Sequence, residues 1–274
     1  MFCYCLFFAL FIIVYASLFF LNKKFLFSSF TIALITSMIS TTLVHYASQK
    51  QTRKQDILKI GISPDYFPFT YINDDQKLSG FDIELIEEIA KKMGKNIEFK
   101  IMNFESLLPS LQLKQVDALI GGLAITEERK KNILATTSYL AHDPFCIITL
   151  ERNVVEDIND IKNKRGITIN GYSSGDYLLR ENITTDIHNV KSLPEGLLLL
   201  DMQKGDFYIG SYIAASCIKN VSKKYNIHVL PNEHDRIGIF LHKNNIELSS
   251  TINTIIQELQ DNGFLEGLMK KWNL

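Results

Sequence analysis

The chain has 274 residues, 29 of them basic and 30 acidic, and its formal net charge is −1. It has no basic stripe, so it lacks the electrostatic footprint of a nucleic-acid-binding protein, and we predict no nucleic-acid partner. A chain of this length can bury a large core and can divide into two lobes. The six histidines show no metal-ligand spacing with one another or with the four cysteines, so we predict no metal and no other cofactor. Cys146 and Cys217 are distant in the chain and could pair in an oxidising compartment.

The first 47 residues predict a hydrophobic leader. The uncharged apolar run Met1–Leu21 is about as long as a bilayer-spanning helix. Lys23 and Lys24 separate it from a second apolar run that ends near Val44. Two lysines followed by an apolar run are typical of a secretory signal peptide, with a candidate cleavage point after Ala47, and the alternative is a membrane hairpin or anchor. We therefore expect the rest of the chain to be periplasmic or otherwise extracytoplasmic, either released or tethered to the inner membrane.

Residues 48–56 are polar and predict a flexible linker, after which strand and helix patterns alternate. The expected elements are a strand at Leu58–Ile62, an aromatic loop at Pro64–Tyr71, a helix at Phe81–Met93, a strand at Ile97–Ile101, a helix at Phe104–Leu113 and a strand at Ala118–Ile120. This βαβαβ order favours an α/β lobe with a mostly parallel sheet.

The pattern restarts after Pro144. The expected elements are strands at Phe145–Leu150 and Gly166–Asn170, a helix from about Asp176, a helix at Pro194–Gln203, a strand at Phe207–Ile209, a helix at Tyr212–Lys219, strands at His228–Leu230 and Ile237–His242, and helices at Ile246–Asn262 and Gly263–Trp272. Ligands in open α/β sheets bind beyond the carboxyl ends of the strands, so two facing lobes predict a cleft between them.

The stretch Asp117–Lys131 predicts a site for a small carboxylate. A short apolar strand is followed by Gly121 and Gly122, which let the backbone pass close to another group. Thr126 is a good N-cap, and Arg129 lies one turn into the helix that it opens. Exposed backbone N–H groups, a helix start and a guanidinium fork together suit a carboxylate. The alternative is a surface arginine after an ordinary strand-to-helix turn.

Several motifs follow one another in a fixed order between about residues 56 and 274. They are the aromatic loop with Tyr66 and Phe69, Gly80–Leu85 (GFDIEL), Asn103–Leu111 (NFESLLPSL), Val116–Arg129 (VDALIGGLAITEER), and Asp261–Gly263 ahead of Trp272. Each string is weak alone, but their joint order and spacing resemble the family 3 extracellular solute-binding proteins, the polar amino acid receptors of ABC importers.

The resemblance implies a two-lobed α/β fold of the type II periplasmic-binding-protein kind. Each lobe would be a mostly parallel sheet flanked by helices, and two hinge strands would join the lobes and let them close on a ligand. The solute-binding domain would cover residues 57–274, with lobe 1 at about 57–142 and 237–274 and lobe 2 at about 147–231. The hinges would lie near His142–Cys146 and Pro231–Ile237.

The same resemblance implies the ligand-binding residues. The carboxylate-binding arginine of the family matches Arg129, its backbone donor matches Ala124, and a neighbouring main-chain contact matches Gly122. The aromatic residues that cover the ligand side chain match Tyr66 and Phe104. A second donor to the carboxylate, in the turn of lobe 2, matches Ser173.

One position departs from the family pattern. Family members usually place an acid on lobe 2 for the ligand ammonium, and Ser211 stands there in this chain. Ser63 likewise stands where receptors for basic amino acids often carry an acid. A hydroxyl cannot neutralise a buried ammonium. Either another acid substitutes, with Asp65, Asp143 and Glu233 as candidates, or the ligand is not an ordinary α-amino acid.

The expected function is capture of an amino acid, or a related carboxylate, for an ABC importer. The expected partners are that ligand and the membrane permease, with the receptor itself a monomer and not an enzyme. One alternative is a cleft enzyme of the arogenate or prephenate dehydratase type, which the missing acid makes worth testing. Another is a membrane-tethered sensory module, which the hydrophobic leader makes plausible.

Overall fold

The computed structural model describes residues 33–44, 57–219 and 224–274 of the chain. It divides into two compact units, Met1–Asp56 and Ile57–Leu274. In the first unit, residues 33–44 form a helix. Among the residues described, none of the helices combines the length and the apolar character needed to cross a bilayer. The rest of the predicted leader and all of the predicted linker, residues 48–56, lie outside the described residues.

The second unit alternates strands and helices. Its strands are β1 (Ile57–Ile62), β2 (Asp65–Tyr66), β3 (Thr70–Ile72), β4 (Leu78–Ser79), β5 (Asn96–Ile101), β6 (Ala118–Leu119), β7 (Ile133–Ala135), β8 (Leu140–Leu150), β9 (Gly166–Ile169), β10 (Ile187–Val190), β11 (Phe207–Ser211), β12 (Tyr225–Ile237) and β13 (Phe240–His242). Its α-helices are α1 (Phe81–Lys92), α2 (Phe104–Gln112), α3 (Glu127–Lys130), α4 (Ser173–Arg180), α5 (Leu193–Asp201), α6 (Tyr212–Lys219), α7 (Ile246–Asp261) and α8 (Phe264–Trp272).

The first sheet has the strand order β5-β1-β6-β13-β7. Strand β1 runs parallel to β5 and β6, whereas β13 runs antiparallel to β6 and β7. Both faces of this sheet are buried, because Ala118 and Ile120 belong to the core formed with α1 and α7, and Leu119 belongs to a second core formed with α2. Successive side chains of a strand point to opposite faces, so two buried faces require the continuous apolar run that the sequence shows.

The second sheet has the order β10-β9-β11-β8-β12. Strand β9 runs parallel to β10 and β11, and β8 runs antiparallel to β11 and β12. Helix α5 covers one face, where Leu197 and Tyr208 share a core. Helix α4 covers the other face, where Leu178 and Phe207 share another. Both of these sheets are therefore mixed, with parallel pairings among β5, β1 and β6 and among β10, β9 and β11, and antiparallel pairings where β7, β8, β12 and β13 join.

Strands β8 and β12 form a long antiparallel pair that joins the two sheets. One end of the pair lies in the second sheet, where β8 also pairs with β11. At the other end Leu140 pairs with Ile237, which also bridges to Ala124 beside the first sheet. The predicted hinge segments His142–Cys146 and Pro231–Ile237 fall within these strands, and the ladder register shifts within the second segment. Bending at these segments and the lobe boundaries remain predictions.

Both strands of this pair are longer than the sequence pattern indicates. Strand β8 begins at Leu140 rather than Phe145, and β12 covers Tyr225–Ile237 rather than His228–Leu230. Polar residues interrupt the apolar pattern at these ends, so the strand character there comes from pairing with the neighbouring strand rather than from local propensity. The cysteines do not form a disulfide in the described part of the chain, where Cys146 and Cys217 are both free thiols.

The start of α1 depends on a glycine. The N–H groups of Phe81 and Asp82 donate to the carbonyl oxygens of Pro68 and Phe69, each at 3.0 Å, and so satisfy helix-terminal donors. Gly80 precedes them with φ of 135°, and a Cβ there would stand 2.1 Å from the Phe69 carbonyl oxygen. The aromatic loop and the helix can therefore approach this closely only over glycine.

We predict that Gly80→Ala lowers the free energy of unfolding by about 2–4 kcal/mol, since it combines a backbone clash with a strained φ. Gly267→Ala is the matched control. Gly267 lies in α8, where an added Cβ meets nothing within 4 Å, so alanine should leave stability unchanged or raise it by about 0.5–1 kcal/mol. Urea unfolding monitored by circular dichroism measures both, and equal stabilities of the two variants would contradict the prediction.

Candidate functional site

A cavity lies between the elements of the two sheets, beside β8 and β12. It is lined by Tyr66, Phe104, Gly122, Ala124, Arg129, Phe145, Tyr172, Ser173, Ser174, Ser211 and Asp235. The residues that the sequence predicts for the ligand site are all among them. The open volume is about 10 Å³, which is room for about one water molecule. Protein side chains therefore fill most of the space between the sheets.

Arg129 spans the cavity. The Thr126 side-chain oxygen caps α3 by accepting from the Arg129 backbone N–H at 3.2 Å, as the sequence predicts. The guanidinium then donates from one terminal nitrogen to the Ala124 carbonyl at 2.8 Å and from the other to the Gly171 carbonyl at 2.9 Å. Ala124 adjoins the first sheet and Gly171 follows β9 of the second. One side chain therefore links the half of the fold built on the first sheet to the half built on the second sheet.

The charge of Arg129 is only weakly compensated. Its carbonyl partners are neutral, and among the described residues no carboxylate oxygen lies within the 4.0 Å of an ion pair with it. Burial lowers the pKa of Arg129 from its ordinary value, and the nearby Asp235 opposes that shift. Arginine stays protonated in proteins, so the cavity holds a fixed positive charge. The guanidinium carbon also stands 5.9 Å from the centre of the Phe104 ring, within cation–π distance.

The backbone of Ala124 faces the cavity. Ala124 forms a single antiparallel bridge with Ile237, and the flanking residues make the hydrogen bonds of that bridge. In such a non-hydrogen-bonded pair the N–H and C=O of each residue point away from the partner strand. The carbonyl of Ala124 is held by Arg129, so its N–H points to the same side as the guanidinium. A backbone donor and a cation thus lie together.

The N–H of Gly122 is not available to a ligand, because it donates to a carboxylate oxygen of Asp82 at 2.6 Å. Asp82 is fully buried in the first turn of α1, and burial raises its pKa to about 7. A side chain at position 122 is excluded, since φ is +62° and a Cβ would stand 2.3 Å from the Tyr66 ring. The glycine lets the tyrosine pack flat against the backbone.

Three aromatic rings form one wall of the cavity. Tyr172, in the loop between β9 and α4, lies 5.4 Å from the ring of Tyr66 and 4.7 Å from the ring of Phe104. The predicted residues Tyr66 and Phe104 are therefore joined by a third ring from the second half of the molecule. Tyr66 is largely buried, whereas Phe104 is half-buried.

Ser173 is the first residue of α4, which begins earlier than the predicted start near Asp176. Tyr172 precedes it in an extended conformation, and the Tyr172 carbonyl accepts from the Gly175 N–H, which closes the first turn. The Ser173 hydroxyl donates to a carboxylate oxygen of Asp235. Its backbone N–H is among the first N–H groups of the helix, which have no intrahelical acceptor. The backbone of Ser173, rather than its hydroxyl, is therefore the donor available to a ligand.

Ser211 is buried at the end of β11, not at a solvent-facing strand end. Its hydroxyl donates to a carboxylate oxygen of Asp143 at 2.9 Å and accepts from the Ala214 N–H at 3.1 Å, which caps α6. Asp143 is only 2% exposed. Of the other two candidate acids, Asp65 is exposed and Glu233 lies 3.6 Å from Arg180, and none of the three candidates lines the cavity itself.

Two acids from the connecting strands lie opposite each other beside the cavity. Asp143 on β8 and Asp235 on β12 are register partners. Burial raises the pKa of Asp143 to about 7, and the hydrogen bond from Ser211 limits the shift. Burial also raises the pKa of Asp235 to about 6, where the Ser173 hydroxyl and Arg129 limit it. Both carboxyls therefore change charge near neutral pH.

Sequence reasoning missed several lining residues. Tyr172 and Ser174 lie in the Gly171–Gly175 turn that the sequence marks, so the turn was a signal for them. Asp235 lies inside a predicted hinge segment, but only the pairing register places it opposite Asp143. Phe145 has no signal beyond being apolar at the start of a strand.

Residues 58–274 match the sequence profile of bacterial extracellular solute-binding proteins, family 3. The chain belongs to this family. It is 24% identical over 255 residues to the L-cystine-binding protein TcyJ of Escherichia coli (strain K12), covering 92% of this chain and 96% of that protein. It is 30% identical over 226 residues to the arginine-binding extracellular protein ArtP of Bacillus subtilis (strain 168), covering 78% and 85%. A third relative, the histidine-binding periplasmic protein of Escherichia coli (strain K12), is 26% identical over 225 residues, covering 78% of this chain and 86% of that protein.

Solved structures agree with this family and with the type II periplasmic-binding-protein fold. The substrate-binding protein of an amino acid ABC transporter matches at 25% identity with a TM-score of 0.72, covering 79% of this chain and 98% of that one. An ancestral arginine-binding protein bound to arginine matches at 27% identity with a TM-score of 0.72, over 79% and 98%. An ancestral amino-acid-binding protein described as a precursor of cyclohexadienyl dehydratase shares the fold, at 22% identity and a TM-score of 0.73.

The buried acids predict a pH-dependent stability. A folded pKa near 7 for Asp143, against about 4 in the unfolded chain, means that the folded state binds the extra proton. Its contribution is therefore complete below about pH 4 and is lost as the pH rises through about 7. Asp143→Asn removes this titration while it keeps an acceptor for Ser211.

Without ligand, the wild-type melting temperature should therefore fall more between pH 5 and pH 8 than that of Asp143→Asn. The difference should be several degrees, since 1 kcal/mol corresponds to about 2–4 °C in a domain of this size. Asp65→Asn, which changes an exposed carboxyl, is the control and should follow the wild type. Differential scanning calorimetry decides, and parallel curves for the wild type and Asp143→Asn would contradict the prediction.

Proposed function

We propose that this protein captures an amino acid outside the cytoplasmic membrane and delivers it to the permease of an ABC importer. The observation that supports this most strongly is Arg129, a half-buried cation without an acid at ion-pair distance, placed between the two halves of the fold. In this proposal the receptor acts as a monomer, and the ligand's carboxylate replaces the neutral carbonyls as the main partner of the guanidinium.

The donors around Arg129 suit a carboxylate. The Ala124 N–H points to the same side as the guanidinium, and the Ser173 N–H belongs to the exposed amino end of α4. A guanidinium fork together with backbone donors binds both oxygens of a carboxylate and fixes its plane. The Gly122 N–H does not add to these donors, since it is bonded to Asp82.

The aromatic rings suit the ligand's side chain. Tyr66 and Phe104 belong to the first half of the fold and Tyr172 to the second, and the rings are in contact. A side chain held between them would touch both halves. Contact with both halves is what makes a ligand favour the closed arrangement over an open one.

Capture requires the two halves to separate, because a cavity with an open volume of about 10 Å³ holds one water molecule and no amino acid. The bond from Arg129 to the Gly171 carbonyl and the bond from Asn170 to Glu105, at 2.7 Å, both cross between the halves. An entering ligand would exchange such contacts for its own. The hinge segments in β8 and β12 would absorb the movement.

The test is binding to a panel of the twenty common L-amino acids and L-cystine, screened by thermal shift and quantified by calorimetry. L-Arginine, L-histidine and L-cystine have priority because they are named for relatives of this chain. A tight binder raises the melting temperature by mass action. No binding by any member of the panel would contradict the proposal.

Arg129→Lys tests the carboxylate site. Lysine keeps the charge but loses the bidentate fork, so affinity should fall at least tenfold, and Arg129→Ala should lose about 2–4 kcal/mol, or roughly 30-fold to 1000-fold. Arg180→Lys, the same substitution on an exposed arginine of α4, is the control and should bind normally. Unchanged affinity in Arg129→Ala would place the carboxylate elsewhere.

A dehydratase of the arogenate or prephenate type is the second candidate. The observation that favours it is that Asp143 and Asp235 keep protons to near-neutral pH beside the cavity and could act as general acids. Incubation with prephenate separates the two functions. Release of phenylpyruvate would identify an enzyme, whereas amino acid binding without turnover supports the receptor. Sequencing the amino terminus of the mature protein separates a released receptor from a tethered one.

A further inference from the structure

We infer that Asp143, on the connecting strand β8, is the counter-ion of the ligand's ammonium group, and that each capture releases a proton. This inference rests on the proposed function and adds the part of the site that the sequence leaves open. Ser211 stands where an acid was expected, and its hydroxyl is bonded to the Asp143 carboxyl.

The geometry places Asp143 directly behind Ser211. The Ser211 hydroxyl donates its proton to Asp143 and accepts one bond from the Ala214 N–H. A hydroxyl oxygen has two lone pairs, and the second faces the Tyr66 hydroxyl, which an entering ammonium would displace. An ammonium there would lie one hydroxyl away from the buried carboxylate.

Asp143 lacks a cation of its own. Its hydrogen-bond donors are the Ser211 hydroxyl, the Ile213 N–H at 3.4 Å and the Tyr66 hydroxyl, and all three are neutral. In the part of the chain that the structure describes, no lysine, arginine or histidine lies at ion-pair distance from it. Asp235 differs, because Arg129 acts on it and the Ser173 hydroxyl binds it. Asp235 therefore already faces a cation, and Asp143 is the acid left for an incoming cation.

The proton balance follows from burial. Without a cation the carboxyl of Asp143 has a pKa of about 7 and is mostly protonated at pH 6.5. An ammonium beside it favours the carboxylate and lowers the pKa. The protonated carboxyl and the ammonium thus give a carboxylate and an ammonium bridged by the Ser211 hydroxyl, plus one proton, which passes to the buffer. At pH 6.5 the expected release is about three quarters of a proton per ligand.

Other groups face the two acids and enter the pH dependence. The groups that act on Asp143 or feel its charge are Tyr66 from β2, Tyr172 before α4, Cys146 on β8 and Asp235 on β12. Asp235 also faces Asp176 of α4 and Arg129. His142 and His234 adjoin the acids in the chain but are exposed, and their ring centroids lie 4.3 Å apart with the rings tilted by 51°. His142→Gln serves as a control for a substitution next to Asp143.

The test is calorimetry at pH 6.5 in phosphate and in imidazole, buffers with different ionisation enthalpies, using the amino acid that gives the largest thermal shift in the panel. The wild type and His142→Gln should release about three quarters of a proton. Asp143→Asn should release far less and should bind at least tenfold more weakly at pH 8. The des-amino analogue of the same amino acid should bind the wild type much more weakly than the amino acid does, and Asp143→Asn should lose this preference.

A charge-relocation variant tests whether weaker binding by Asp143→Asn comes from the lost charge or from structural damage. In Asp143→Asn/Ser211→Asp the acid moves to position 211, where aspartate also caps a helix well. Affinity and the preference for the amino group should return. Amino acid binding without proton release, together with unchanged affinity in Asp143→Asn, would overturn the inference and leave the receptor function intact. Failure of the whole panel to bind would overturn the receptor function itself.

Discussion

The hydrogen bonds of one guanidinium group organise this structure. Arg129 donates to a carbonyl beside the first sheet and to a carbonyl after β9 of the second, so the charge lies where the two halves meet. The surrounding elements serve that position. Thr126 starts the short helix that carries the arginine, and the bridge between Ala124 and Ile237 turns a backbone edge toward it.

The connecting strands β8 and β12 have both a mechanical and a chemical role. They join the sheets, and they also place Asp143 and Asp235 opposite each other next to the cavity. Most buried acids are stabilised by a cation, but Asp143 has only neutral donors. Its burial is unfavourable for the charged form, and such an arrangement is typical of a functional site. The unfolding experiment and the binding experiment therefore both test the protonation of the Asp143 carboxyl, one through stability and the other through proton release.

The sequence was sufficient for the elements and for much of the cavity lining. Arg129, Ala124 and Gly122 are close in the chain, so a local pattern of strand, glycine turn and N-cap brings them together. Tyr66, Phe104, Ser173 and Ser211 come from distant segments, and only resemblance to a family could group them. Tyr172 and Asp235 were missed because their positions depend on how the halves face each other and on a strand register that shifts within β12. Local propensity contains neither piece of information.

The partners of Arg129 are main-chain oxygens, and this has a consequence for how such a receptor can change over time. No side-chain substitution at position 124 or 171 deletes a carbonyl. The hydrogen bonds that hold Arg129, the proposed carboxylate-binding residue, are therefore insensitive to the side chains of its partners. The rings of Tyr66, Phe104 and Tyr172 have no such protection. Substitutions in these rings can therefore change which ligand side chain is preferred, while binding of the carboxylate that all such ligands share is kept. A single scaffold can in this way give rise to receptors for different nutrients.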